Sequence, residues 1–206
     1  MASAPAHDPA HRPAASGAPE RDAGAPRRAG YIALRQARPT DAEAIRAIYN
    51  HEVLSTTATF DLVPRSLEDQ QHWLSARSGA FSAIVAEDLT DGGEVVGFAA
   101  LSPYRERAAY RTSVEDSIYV RRDRSGRGIG ALLLNELLDV AASSGFHAVF
   151  ARIEATGAAS RALHARCGFQ LVGIERETGR KFNRWLDVAL MQCLLHERTP
   201  RQGPSH

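Results

Sequence analysis

The chain has 206 residues, of which 44% are hydrophobic and 24% are charged, a composition that suits one soluble globular domain and not two. Its longest apolar runs fall short of the about 18 residues that a membrane span needs, so we expect no integral membrane protein. The formal net charge is +1, so no overall field draws the protein to nucleic acid or to an anionic membrane.

The two ends of the chain are poor in large apolar side chains. Residues 1–30 are rich in Ala, Pro, Gly and Arg, and residues 199–206 have a similar character, so neither segment buries enough surface to offset the entropy of ordering it. We therefore expect disordered tails on either side of one domain over residues 31–198. The two cysteines, Cys167 and Cys193, are too few for a disulfide scaffold or a zinc ribbon, and they indicate free, buried thiols in the cytoplasm.

Between the tails, the hydrophobic periodicity alternates between that of strands and that of helices. A capping box from Thr40 to Glu43 predicts the start of the first helix, and Asp91-Gly92-Gly93 is typical of a hairpin turn. In chain order the pattern predicts a strand at 31–35, helices at 40–54 and 64–79, strands at 81–87, 94–101 and 113–121, a helix at 129–145, a strand at 147–154, a helix at 158–166, and strands at 170–176 and 185–195. This order predicts a mixed β-sheet with helices on both faces, in the α+β or α/β class.

The segment from Arg121 to Gly130 contains three glycines and four arginines. Glycines before a helix let the backbone approach an anion, and the N–H groups and dipole of the helix attract phosphate, to which the arginines add positive charge. Gly126, Gly128 and Ala131 also fit the loose dinucleotide fingerprint, with Glu154 as the acidic residue, but a Rossmann unit normally opens its domain. A nucleotide P-loop would need a Gly-Lys-Ser/Thr sequence that this chain lacks. A mobile surface loop with solvated arginines is the other alternative.

Several segments in order resemble the Gcn5-related N-acetyltransferase (GNAT) superfamily, over Tyr31 to about Leu195. The superfamily segments are Ser117 to Val120, the loop through Gly130 with its helix, and Ser160 to Phe169. Similarity to the phosphinothricin N-acetyltransferase branch rests on Asn50-His51, Ser55 to Phe60, Ala109-Tyr110, Val114-Glu115, Gly179 to Lys181 and Trp185 to Val188. The resemblance implies a central splayed sheet, acetyl-CoA as cosubstrate with no metal, a small amine as the second substrate, and a homodimer.

The resemblance also implies how acetyl-CoA is held. Backbone groups of the strand around Ile118 hold the pantetheine arm, and amides of the glycine-rich loop bind the pyrophosphate. Two positions depart from the superfamily, because Ser125 stands where Gln or Arg is usual and Gly157 where Asn is usual. The expected cofactor contacts are Ile118, Tyr119, Val120, Ser125, Gly126, Arg127, Gly128, Ile129, Gly130, Gly157 and Ser160.

Acetyl transfer from a thioester to an amine needs a neutral amine, a donor for the oxyanion and a proton for the leaving thiolate. Glu115 matches the general base expected in the family, and its alternative is an edge carboxylate paired with an arginine. Strand alternation sends Asp116 to the opposite face. A backbone N–H near Tyr119 or Val120 is expected to meet the oxyanion. His164 stands where the superfamily often has Tyr, and both a proton donor and a packing residue are open interpretations.

The second substrate is expected beside the loop that contains Arg105 and Arg107, because guanidinium groups suit carboxylate or phosphinate oxygens; a solvated charge run is the alternative. The other expected substrate contacts are Asn50, His51, Phe60 and Tyr110. The leading hypothesis is an N-acetyltransferase for an amino acid analogue such as phosphinothricin, methionine sulfone or methionine sulfoximine, in antibiotic or herbicide detoxification. A peptide or protein N-acetyltransferase and a non-catalytic acyl-CoA sensor are the alternatives.

Overall fold

A computed structural model describes residues 27–29 and 31–198, in which one β-sheet carries four α-helices. The strands are β1 (Arg27–Ala29), β2 (Ile32–Gln36), β3 (Ile84–Asp88), β4 (Glu94–Pro103), β5 (Ser113–Val120), β6 (Ala148–Glu154), β7 (Gln170–Lys181) and β8 (Arg184–Leu194). The helices are α1 (Ala42–Ser55), α2 (Leu67–Ser75), α3 (Ile129–Ser143) and α4 (Ala158–Arg166). The strand order is β1-β2-β3-β4-β5-β6-β8-β7. Only the β5–β6 pair is parallel among these neighbours.

The mixed sheet with helices on both faces is confirmed. Val85 and Phe98 pack with α1 on one face, whereas their neighbours Ile84 and Ala99 belong to the cluster that contains α3 on the other. Neighbouring residues of a strand point to opposite faces, so continuous apolar runs in β3 and β4 provide both cores. In the described part of the chain, no helix is long and apolar enough to cross a membrane.

The first described strand lies inside the segment predicted to be the N-terminal tail. Residues 27–29 form β1, which pairs antiparallel with β2 through Arg27 opposite Leu34 and Ala29 opposite Ile32. Backbone hydrogen bonds with an edge strand need no apolar side chains, so composition gives no sign of this strand. The rest of the predicted N-terminal tail and the predicted C-terminal tail, residues 199–206, lie outside the described residues.

The predicted capping box from Thr40 to Glu43 is wrong. A 3₁₀ turn at Pro39–Asp41 precedes α1, and the carboxylate that serves this turn is that of Asp41, which accepts a hydrogen bond from the Arg38 amide at 2.6 Å. Arg35 from β2 donates to the same carboxylate at 2.7 and 2.9 Å. The contact with Arg35 of β2 therefore helps to hold Asp41 in its position at the turn.

The strand β7 is longer than predicted, whereas β8 has its predicted length and begins one residue earlier. The predicted strand at 170–176 continues as β7 to Lys181, with an irregularity in its pairing to β8 between Glu175 and Gly179. Phe182 and Asn183 connect the strands with φ angles of 49° and 59°. Two consecutive left-handed residues are the geometry of a tight hairpin turn, but Phe is a rare choice there, so the sequence signal is weak.

The core gives a first prediction. Leu137 in α3 is fully buried, so Leu137→Ala is expected to lower the free energy of unfolding by about 2–5 kcal/mol through lost burial and a residual cavity. Leu54→Ala in α1 is the control, because Leu54 is 60% exposed, and its effect is expected to stay within about 0.5 kcal/mol. Urea unfolding measures both, and equal losses in the two variants would contradict this core.

Candidate active site

A cavity of about 980 Å³ lies where β5 and β6 separate. The two strands pair only over Ser113–Glu115 and Ala148–Phe150, and beyond Glu115 the strand β5 keeps only its pairing to β4. The backbone groups of β5 that point away from β4 therefore have no strand partner beside the cavity. Residues Glu115 to Val120, the glycine-rich loop, the start of α3 and one side of α4 line this space. The predicted splay of the sheet is confirmed.

The glycine-rich loop has the geometry of an anion site. Gly126 and Gly128 have φ angles of 77° and 81°, a left-handed conformation that favours glycine. Gly128 is the N-cap of α3, and its carbonyl accepts from the Ala131 amide at 3.0 Å. The amides before Ala131 are therefore those that a helix N-terminus leaves without carbonyl partners. At Gly130 it is the space that favours glycine, since a Cβ there would lie 3.0 Å from Cδ2 of Leu163 in α4.

The arginines around this loop contribute less free charge than their number suggests. Arg121 pairs with Glu94 and Asp123, and Arg124 lies 3.8 Å from Asp88. Arg122 donates through Nε to Glu52 of α1 at 2.7 Å. Three of the four arginines therefore attach the loop to the domain, and the backbone amides become the main anion-binding groups.

Glu115 lies at the closed end of the cavity, opposite Phe150 in the β5–β6 pairing. Burial raises the pKa of its carboxyl group, and the charge of Asp116 acts in the same direction, whereas Arg152 and Arg105 oppose the rise. No ion pair of Glu115 occurs among the described residues, and the structure thus does not support the alternative of a paired edge carboxylate. A half-buried carboxylate with a raised pKa is suited to accept a proton from an amine.

Asp116 and His164 form a buried pair on the other face of β5. His164 Nδ1 lies 2.8 Å from the Ser160 carbonyl oxygen, which can only accept, so Nδ1 carries a proton. Nε2 lies 3.0 Å from Asp116 Oδ2. A hydrogen bond at this distance needs a second proton, between Nε2 and Oδ2. Burial by itself lowers the pKa of His164, but the charge and hydrogen bond of Asp116 and the Ser160 carbonyl outweigh it and raise the pKa. Asp116 Oδ1 has no hydrogen-bond partner.

The residues expected at the second substrate are not all brought together. Phe60 lines the cavity, whereas Asn50 and His51 do not, contrary to the expectation. Asn50 instead binds the backbone of Arg65, with its amide donating to the carbonyl and accepting from the N–H, each at 2.8 Å. His51 is exposed on α1. The two sequence neighbours therefore have separate structural positions.

The loop from Tyr104 to Tyr110, here called the arginine loop, is connected by stacked aromatic rings to Phe150, the residue opposite Glu115. Tyr104 stacks on Phe150 at 4.1 Å between ring centroids, and Arg105 lies 4.9 Å from the Tyr104 centroid. Tyr110 meets Tyr104 edge-on at 5.8 Å. Arg107, just before the 3₁₀ turn Ala108–Tyr110, is exposed. Of the two arginines, Arg105 is the one whose charge acts on Glu115.

Both departures from the superfamily line the cavity. Ser125 is the last residue before the left-handed Gly126, and Gly157 is the N-cap of α4. A Cβ at Gly157 would lie 2.9 Å from the Glu154 carbonyl oxygen, so this turn, as folded here, has no room for the usual Asn. The Gly157 amide donates to that same carbonyl at 2.8 Å.

Sequence reasoning missed a set of polar contacts on the cavity wall. The Glu154 carboxylate accepts from Thr156 Oγ1 at 2.6 Å, from the Thr156 amide at 3.1 Å and from Thr57 Oγ1 at 3.3 Å. The Glu-Ala-Thr spacing is the one available signal, because it lets a carboxylate bind the backbone two residues later. The contact from Thr57 joins residues 97 positions apart, which no local pattern predicts. Both cysteines are buried, and neither forms a disulfide bond within the described residues, as expected.

Comparisons with known proteins agree with this site. The family described as "Acetyltransferase (GNAT) domain" matches residues 34–190. An L-methionine sulfoximine/L-methionine sulfone acetyltransferase of Pseudomonas paraeruginosa is 40% identical over 163 residues, 79% of this chain and 94% of that protein. The structure of a phosphinothricin acetyltransferase from Sinorhizobium meliloti in complex with acetyl-CoA is 38% identical, with a TM-score of 0.77, over 85% of this chain and 94% of that one.

A third relative has a different name. A ribosomal-protein-alanine N-acetyltransferase from Brucella melitensis is 40% identical, with a TM-score of 0.75, over 78% of this chain and 98% of that one. The family match covers most of the chain, and the relatives agree with one another in fold and in the group that they transfer. The chain therefore belongs to the GNAT acetyltransferase family, and it is an acetyl-CoA-dependent N-acetyltransferase.

Proposed function

We propose that this chain acetylates the amino group of a small amino acid analogue, of the phosphinothricin, methionine sulfone or methionine sulfoximine type. The observation that carries the proposal is the single cavity that connects the anion site of the glycine-rich loop with Glu115. The arginine loop lies on the Glu115 side, where a second anionic group of the acceptor would be bound. Two of the relatives described above are named for acceptors of this type.

The cavity suits acetyl-CoA in two ways. Amides from Arg127 to Gly130 would hold the pyrophosphate, with Ser125 and Gly126 beside them, and the free backbone edge of β5 at Ile118, Tyr119 and Val120 would hold the pantetheine arm. Ser160 and Gly157 border the same space from α4. The bound cosubstrate supplies the acetyl thioester, and its reacting end would lie at the closed end of the cavity beside Glu115.

In the proposed reaction, Glu115 takes a proton from the acceptor ammonium, directly or through water. The free amine attacks the thioester carbonyl, and a backbone N–H near Tyr119 or Val120 donates to the oxyanion. The C–N bond forms and the C–S bond breaks, and the nitrogen gives up its second proton, which reaches the leaving thiolate through water. The products are the amide and the free thiol, and Glu115 returns its proton to solvent. Burial supports the role of Glu115, because a base with a raised pKa binds the amine proton more tightly.

Glu115→Gln is expected to lower kcat by roughly 10²–10⁴-fold, the usual contribution of a general base, with an unchanged acetyl-CoA affinity. In the parent, activity should fall as the pH drops through the raised pKa of Glu115, because protonation removes the base; the variant should lose this limb of the profile. Glu68→Gln is the control, since Glu68 is exposed on α2 and does not line the cavity. A thiol-release assay measures both variants, and a near-parental kcat for Glu115→Gln removes Glu115 from the mechanism.

For His164 we propose a positioning role, because both of its ring nitrogens already have protein acceptors. The pair with Asp116 attaches β5 to α4 where β5 leaves β6. The raised pKa of His164 adds stability that is fully present below the unfolded value of about 6.5. This contribution is lost as the pH rises through the folded pKa.

Urea unfolding as a function of pH tests the pair. Above about pH 6.5, the stability of the parent should decrease more steeply than that of Asp116→Asn, in which His164 has lost the partner that raises its pKa. All other histidines are common to both proteins, so the difference between the two curves isolates His164. Parallel curves over this range would show that the pair holds no extra proton.

Arg105→Ala and Arg107→Ala test the acceptor. Each is expected to lower kcat/KM for the acceptor by roughly ten- to a hundredfold, through loss of a charge-assisted hydrogen bond. The acetyl-CoA constants should not change, and Lys at either position should rescue poorly because it lacks the planar fork. Arg111→Ala, in the same exposed loop, is the control.

Unchanged acceptor kinetics in both arginine variants would favour the alternative, a neutral or peptide acceptor such as the name of the Brucella melitensis relative suggests. A parent that binds acetyl-CoA but releases no thiol with any amine would favour the non-catalytic sensor.

We further propose a cytoplasmic homodimer. The cytoplasm is supported by two buried cysteines that form no disulfide bond within the described residues. Self-association is supported by β7, an edge strand of the sheet that exposes Leu171, Val172 and Ile174, because an exposed apolar edge is a surface for pairing with another chain.

A further inference from the structure

One wall of the cavity is the segment from Thr56 to Phe60, here called the threonine loop, and each of its five residues lines the cavity. The loop follows α1 and has no helix or strand of its own. A wall without regular structure needs support from elsewhere if it is to present a fixed surface to a substrate.

The first support is Lys181 at the end of β7. Its ammonium group is buried, and Nζ donates to the Thr59 carbonyl at 2.8 Å and to the Glu52 carbonyl at 3.4 Å. The Glu52 carbonyl belongs to the last turn of α1, where the helix dipole attracts a cation. Burial lowers the pKa of Lys181, while the charges of Asp61 and Glu52 oppose this effect. Lys181 is the only lysine of the chain.

The second support is the absence of a side chain at Gly179. A Cβ there would lie 2.3 Å from Cε2 and 2.5 Å from Cδ2 of Phe60. The φ angle of Gly179 is not in the left-handed region, so the approach of the aromatic ring is what requires glycine. Gly179 and Lys181 are two residues apart in a strand and share one face, and that face is covered by the threonine loop.

We propose that Gly179 and Lys181 are positioning residues that fix the threonine loop and the Phe60 ring, and thereby set the fit of the amine acceptor. The inference rests on the proposed function, in which Phe60 contacts the acceptor. It assigns acceptor selectivity partly to the β7–β8 hairpin. The contacts of Gly179 and Lys181 described above are with the threonine loop and the end of α1, and not with Glu115 or the glycine-rich loop. Acetyl-CoA binding should be independent of them.

Steady-state kinetics with methionine sulfone and phosphinothricin as probe acceptors test this assignment. Gly179→Ala and Lys181→Met should each lower kcat/KM for an acceptor by roughly tenfold or more, with acetyl-CoA affinity within about twofold of the parent by calorimetry. Gly179→Ala should also change the ratio of the two acceptors, because it displaces Phe60. Arg180→Met is the matched control: its side chain is exposed and binds Asn183 at the hairpin turn, so parental constants are expected.

A chemical rescue separates the charge of Lys181 from its bulk. Lys181→Cys treated with 2-bromoethylamine regains an ammonium group at nearly the same distance from the backbone, and the acceptor kcat/KM should recover. The parent treated in the same way controls for reaction at the buried Cys167 and Cys193. A modified variant that stays folded but recovers no acceptor activity would contradict the role of the ammonium group.

Hydrogen–deuterium exchange provides a readout that does not need turnover. In Lys181→Met and Gly179→Ala, amides of residues 56–60 should exchange faster, while those of α3 exchange at the parental rate. If the parent acetylates no amine, the proposed function fails, and this measurement still decides whether the two residues hold the loop. Unchanged exchange in both variants overturns the inference, and so does faster exchange with parental acceptor constants.

Discussion

The organisation of the site depends on the separation of β5 from β6 after three paired residues. Each strand keeps its other neighbour: β5 pairs with β4 from Val114 to Val120, and β6 pairs with β8. The sheet therefore stays continuous while one edge of β5 loses its strand partner. Unpaired backbone groups carry a cost that a ligand with amide groups can offset. A pantetheine arm has such groups, so the separation creates a binding surface from backbone alone.

The positions of the charged groups follow from this arrangement. Glu115 and Asp116 are adjacent in sequence but lie on opposite faces of β5 at the point of separation. Asp116 is hydrogen-bonded to His164 of α4, whereas Glu115 has no cation in contact with its carboxylate among the described residues, and its pKa is raised. One strand thus provides a structural hydrogen bond on one face and a candidate base on the other.

Attachment between distant elements is as important as the lining residues themselves. Glu52 in α1 binds Arg122 beside the glycine-rich loop, and its carbonyl accepts from Lys181 of β7. Thr57 binds Glu154 at the end of β6. These contacts connect the phosphate side and the acceptor side of the cavity through the C-terminal end of α1.

The sequence by itself determined the fold class, the order of the elements and the glycine-rich anion site, because strand and helix periodicity and left-handed glycines are local properties. It also placed Glu115 and Phe60 correctly beside the cavity. Only the tertiary structure decided that Asp41 serves the turn before α1, that Asn50 binds backbone, that the loop arginines are paired and that Gly179 and Lys181 support the threonine loop. Each of these depends on which groups the folded chain brings together, often from different elements, and the periodicity of one segment carries no information about which partner a polar group will meet.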